Sequence, residues 1–167
     1  MKYTIKKYIL IFVLLLFTFS IKAQKNNFSS SANIGISTPI LDNGIGFHIG
    51  LNPAYALHSH FSVEGQISYA YTKISGSFLS GNEGNISSIN ALAGGRLYFN
   101  AQEKTTRFYL NFLLGGNYNV ETIDNIDKDG EFGMGFSGGV FCEWNNLLVG
   151  AAYETPQNVV LKVGYIF

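Results

Sequence analysis

Eight stretches of this chain alternate, residue by residue, between large apolar side chains and small polar ones, and a period of two admits strands while excluding helices as the framework. The stretches run over about 28–37, 45–57, 61–74, 86–99, 107–120, 131–143, 147–154 and 158–167. Successive side chains of a strand point to opposite faces, so each stretch presents two distinct sets. One set includes Ile34 and Ile36; Ile45, Phe47 and Ile49; Val63, Ile67 and Tyr69; Ile89, Leu97 and Phe99; Phe108, Leu110, Phe112 and Leu114. It continues with Met134, Phe136 and Val140; Leu147, Val149 and Tyr153; Leu161, Val163, Tyr165 and Phe167. The opposite set is mostly Ser, Asn, Gly and Ala, among them Ser31, Asn33, Asn52, Ser62, Ser68, Asn90, Asn111, Asn117, Ser137 and Gly139.

The composition of the second set decides which way round the strands face. A water-soluble barrel or sandwich turns its polar face to solvent and fills it with Lys and Glu. Here that face is small and largely uncharged, and only 13% of the chain is charged, against about 25% for soluble domains. Small polar residues suit a narrow lumen, and the large set suits a lipid-facing exterior. The predicted fold is therefore all-β: an eight-stranded antiparallel up-and-down transmembrane barrel. Most of the segments reach the roughly 9–11 residues that a tilted membrane strand needs. Short turns fall at 58–60 and 144–146, with a longer one at 100–106, and the opposite connections fall at 38–44, 75–85, 121–130 and 155–157. An even strand number returns both termini to the same, periplasmic, side. Rings gather at both ends of the outward set, Phe61, Phe99, Phe108 and Phe167 at one and Phe47, Tyr69, Tyr118 and Tyr153 at the other, as girdles at the two headgroup boundaries would require.

The first 23 residues read as a removable export segment. Lys2, Lys6 and Lys7 precede an apolar run from Tyr8 to Phe19, and Ala23 supplies a small residue at the cleavage point. That run is too short for a membrane helix, which needs about 20 residues. The expected organisation is a signal peptide over 1–23 and a barrel over 24–167. A single cysteine, Cys142, rules out an intramolecular disulfide framework. Lys2, Lys6, Lys7 and Lys22 are four of the eleven Lys and Arg residues, so the remainder is net acidic and offers no nucleic-acid footprint.

The final stretch, Val159-Val160-Leu161-Lys162-Val163-Gly164-Tyr165-Ile166-Phe167, resembles the closing strand of outer-membrane proteins, in which Tyr165 and the terminal Phe167 form the signal read by the barrel-assembly machinery. In length and strand count the chain from 28 onward is similar to the small eight-stranded outer-membrane barrels of the OmpX and OmpA-barrel type, including those common in Bacteroidota. The resemblance implies a cell outer-membrane location and surrounding outer-membrane lipids. It also implies a monomeric state, no cofactor, and a non-enzymatic role in membrane integrity or in surface contact through the loops at 75–85 and 121–130.

Within the lumen, Glu64 and Arg96 are expected on adjacent strands at similar height, with Lys162 approaching from another wall. Charges in so narrow a space should pair, as a salt-bridge gate or as plain lumen packing. Open diffusion channels belong to larger barrels. Asn125, Asp127 and Asp129, followed by Gly130, resemble the first half of a calcium loop, but Phe136 stands where its bidentate Glu belongs. His58-Ser59-His60 falls in a turn, where exposed rings lack an orienting shell, and His48 lies on the lumen side within reach of the level of Glu154. Two alternatives carry distinct expectations. A lipid-modifying enzyme requires Ser, His and an acid to converge on one rim. A periplasmic lipocalin-like binder of an apolar ligand requires the Ile/Leu/Phe set to point inward.

Overall fold

The computed structural model describes residues 27–38, 44–74, 84–100, 105–123, 126–127 and 129–167. The export segment expected over 1–23 lies outside them. Eight long strands follow one another: β1 Phe28–Thr38, β2 Gly44–His58, β3 Phe61–Ile74, β4 Gly84–Tyr98, β5 Thr106–Ile123, β6 Glu131–Trp144, β7 Leu147–Glu154 and β8 Asn158–Ile166. Each pairs antiparallel with its sequence neighbours, and β1 pairs with β8, so the sheet closes on itself as an eight-stranded up-and-down barrel. A two-residue strand, Ile126–Asp127, folds back onto the end of β5. Closure removes the free edges that an open sheet would expose, a condition for any sheet that crosses lipid.

Register keeps like with like. Ile34 lies opposite Ile49, which lies opposite Tyr69; the same row continues through Ile89, Tyr118 and Phe132. Short turns at 59–60 and 145–146 join β2 to β3 and β6 to β7 at one end. Asn145 takes a positive φ of 53° in the Asn145–Asn146 turn, a conformation that Asn tolerates better than most residues. At the opposite end β5 runs five residues beyond Tyr118 and pairs with β4 as far as Gly84. The barrel rim is uneven there, because β7 stops at Glu154 while β6 continues to Glu131.

The apolar set faces outward. Ile34, Ile45, Ile67, Phe99, Phe112, Leu161 and Tyr165 are exposed, whereas Asn33, Ser62, Ser88, Asn90 and Ser137 are buried. This inverted distribution is that of a transmembrane barrel, and it is the reverse of what a lipocalin-like binder requires. Exposed Tyr55, Phe61, Phe99, Phe108, Trp144, Tyr165 and Phe167 ring the turn end. At the loop end Phe47 packs against Tyr69 and Tyr71, Tyr118 against Phe132, and Phe136 against Tyr153.

A charge placed on that exterior tests the inversion directly. Phe112 is 56% exposed, between Phe108 and Tyr118 on β5. Phe112→Arg should destabilise the barrel in lipid vesicles by about 2–4 kcal/mol in urea unfolding. A water-facing site would change by no more than about 0.5 kcal/mol.

Candidate functional site

The polar side chains that alternate inward on each strand meet in the lumen, and there they form two charged centres. The first lies toward the turn end. Arg96 on β4 is buried; its Nε sits 2.9 Å from Glu64 Oε2, and its Nη2 donates to Glu64 Oε1 at 3.0 Å. The same guanidinium donates from Nη1 to Glu143 Oε1 at 3.2 Å, and Glu143 Oε2 lies 2.7 Å from Arg107 Nη2. Asn111 Nδ2 adds a longer contact to Glu64 at 3.4 Å. Aromatic rings complete the packing. Arg96 lies 4.9 Å from the Tyr109 ring centre and Arg107 lies 5.7 Å from that of Tyr98. Tyr109 stacks on Phe141 at 5.1 Å. With Leu148, Ala152 and Ile166, the three rings form an apolar plug inside the barrel.

The second centre is organised by Glu154, at the loop end of β7. Its Oε1 accepts from Ser137 Oγ at 2.8 Å, from Gln66 Nε2 at 2.9 Å and from Lys162 Nζ. Its Oε2 faces His48 Nδ1 at 3.3 Å, and the other ring nitrogen of His48 lies 3.1 Å from Asn33 Oδ1. Asn52 joins the two centres, donating to Glu64 at 2.6 Å and to Gln66 at 3.2 Å while accepting from Asn33 at 2.7 Å. One hydrogen-bonded network therefore runs from Arg107 to Lys162 through the length of the lumen. Three carboxylates in it face three obligate cations, so charge balances locally, as burial demands.

Glu64 and Arg96 are thus brought together, and Lys162 is not brought to them. Its ammonium bonds to Glu154 instead, 5.9 Å from the ring centre of Phe141. Glu154 lies on β7, the strand that pairs with β8, whereas Tyr109 and Phe141 stack in the buried cluster inside the barrel. Glu143, Arg107, Tyr98, Tyr109 and Phe141 are members of the lumen that the alternation pattern could have identified. On β6 the inward parity of Ser137 and Gly139 continues to Phe141 and Glu143, and on β5 that of Asn111 continues back to Tyr109 and Arg107.

The remaining candidates lie elsewhere. Asn125 falls outside the described residues, the Asp127 backbone pairs with Thr122 in the hairpin extension of β5, and Asp129 is exposed. Among the described residues no three His, Cys, Asp or Glu side chains come together as a metal set. Tyr165 is outward-facing, opposite Ala32 and Leu147, and the Phe167 backbone exchanges hydrogen bonds with Ser30 at 2.9 and 3.1 Å. Ser137, the hydroxyl bonded into the Glu154 centre, donates to the acid and not to His48. A nucleophile–base–acid relay needs the base in the middle; here the acid occupies that place. On the exterior, a groove of about 900 Å³ is bordered by Phe61, Leu110, Phe112 and Tyr153, with Gly95, Gly138 and Ala151 among its lining. It lies on the lipid-facing wall.

The sequence matches no protein-family model and no curated protein. Solved structures match by shape. Ail, the attachment invasion locus protein of Yersinia pestis, in complex with the heparin analogue sucrose octasulfate, superimposes with a TM-score of 0.54 at 17% identity, over 84% of this chain and 97% of that one. Ail without that ligand gives 0.52 at 19% identity, over 85% and 99%. Neisserial surface protein A gives 0.50 at 19%, over 84% and 96%. At such identities the likeness is one of fold, and the fold shared is the small eight-stranded outer-membrane β-barrel.

Proposed function

We propose that this protein is a non-enzymatic, monomeric integral barrel of a bacterial outer membrane that acts through the loops opposite its chain termini. The observation that carries this reading is the filling of the lumen by buried charged and aromatic side chains. Three carboxylates, three cations and the packed rings of Tyr98, Tyr109 and Phe141 lie inside the barrel, and among the described residues Ser137 is bonded to the acid and not to His48. With the lumen so filled, the connections at the end opposite the termini are left as the working surface. The termini lie on the periplasmic side in this reading, and Tyr165 and Phe167 serve as the assembly signal.

Charge narrows the kind of contact. The loop-end segments carry Asp42, Glu83, Glu121, Asp124, Asp127, Asp129 and Glu131 against Lys73 and Lys128. An acidic rim repels a polyanion such as the sucrose octasulfate in the Ail complex and favours a neutral or cationic partner. Epitope tags inserted at 75–83 and 124–128 should be accessible on intact cells, and the purified barrel should give no stepwise conductance in planar bilayers. Lipid extracts from expressing cells should match those of controls. A new deacylated or transferred lipid species would establish the enzyme reading in its place.

A further inference from the structure

The turn between β2 and β3 is formed by His58, Ser59 and His60, all three exposed. The ladder shifts register between Ala56 and His58, and His58 then pairs with Phe61. Ser59 Oγ lies 3.3 Å from His58 Nδ1 and 3.0 Å from His60 Nδ1. The two ring centres are 6.1 Å apart, with planes inclined by 31°. A hydroxyl has a single proton, so it can donate to only one of the two nitrogens that converge on it. It can accept from the other as an Nδ1–H tautomer; with both rings in the Nε2–H tautomer, the two Nδ1 lone pairs converge instead on one point that a cation can occupy.

We propose that this turn binds one borderline divalent transition cation, of the Cu²⁺ and Zn²⁺ class, through Nδ1 of His58 and His60. Ser59 Oγ or water completes the coordination. Imidazole suits these ions, and the Irving–Williams order places Cu²⁺ above Zn²⁺. The pair lacks the oxygen ligands that Ca²⁺ and Mg²⁺ require. Metal–nitrogen distances of about 2.0–2.1 Å require the rings to draw in toward the ion, which an exposed two-residue turn can accommodate. The assignment is easily isolated, because the chain has only three histidines and the third, His48, is buried in the lumen.

The test is titration of the refolded barrel in detergent with Cu²⁺ and with Zn²⁺, followed by calorimetry and, for Cu²⁺, by electron paramagnetic resonance. One equivalent should bind, with hyperfine structure from two equivalent nitrogens. His58→Ala and His60→Ala should each lose that equivalent, while Ser59→Ala retains it. Heat-modifiable mobility should be the same in all four proteins, since all three side chains are exposed in a turn. Undiminished Cu²⁺ binding in the His58→Ala/His60→Ala double variant would overturn the assignment. So would retention of the two-nitrogen spectrum by either single variant.

Discussion

Glu154→Ala is expected to destabilise the barrel by about 3–5 kcal/mol, the cost of leaving a buried charge without its partner. Glu154 is fully buried and accepts from Ser137, Gln66 and Lys162 while facing His48. Without it, Lys162 remains in the lumen, 2% exposed, and loses the carboxylate it pairs with among the described residues. Urea unfolding in lipid vesicles measures the loss. Two further variants separate charge from packing. Glu154→Gln keeps the volume and part of the hydrogen bonding but loses the charge, so it should be nearly as damaging. The double replacement Glu154→Gln with Lys162→Met removes both charges and should recover most of the stability, because an ion pair and an apolar pair of similar size are often equivalent when buried. A loss below about 1 kcal/mol for Glu154→Ala, in the range of a solvated pair, would show that Lys162 reaches water.

Closure of the barrel provides the second large effect. Gly94 on β4 and Gly115 on β5 each lie against the opposite strand. A Cβ on Gly94 would collide with the carbonyl of Phe112 and come within 2.9 Å of Leu113 Cα. One on Gly115 would meet the carbonyl of Ala91 and come within 2.9 Å of Leu92 Cα. These are contacts with backbone, which cannot rotate aside, so a methyl group at either site must spread the β4–β5 ladder. Gly94→Ala and Gly115→Ala should each cost about 3 kcal/mol, the upper end of overpacking effects, and should reduce the fraction that runs as the heat-modifiable form on a gel. Gly116→Ala is the matched control. Its nearest neighbour would be the Gly133 carbonyl at 4.0 Å, in open space, so the change should stay within about 0.5 kcal/mol. Equal tolerance at 94, 115 and 116 would mean that the wall is not as tightly curved as described.

Much of this architecture is legible in the amino-acid sequence. The strand limits at 61–74 and 147–154 match the structure, and the closing stretch differs by one residue, because alternation over eight or more positions specifies both the strand and the face. Facing was legible for a second reason: the set opposite Ile34, Phe112 and Tyr165 is too small and too poor in charge to meet water. The upper end of β5 was read short, at 120 in place of Ile123, since polar residues beyond the membrane carry no apolar alternation to mark a strand.

The lumen was legible in part. Adjacent strands and a shared parity suffice to bring Glu64 to Arg96, and local register expresses both. What a strand pattern does not encode is which side chain reaches across the barrel, because that depends on everything already occupying the centre. Tyr109 and Phe141 stack inside the barrel, and Lys162 pairs with Glu154 on the neighbouring strand. The sequence by itself determined the strands, their faces and the inversion of polarity, all of which follow from short-range periodicity. Only the tertiary structure decided the partners of the buried charges, the packing of the rings inside the barrel and the convergence of His58 and His60 on one oxygen, since each of these depends on closure and curvature in three dimensions.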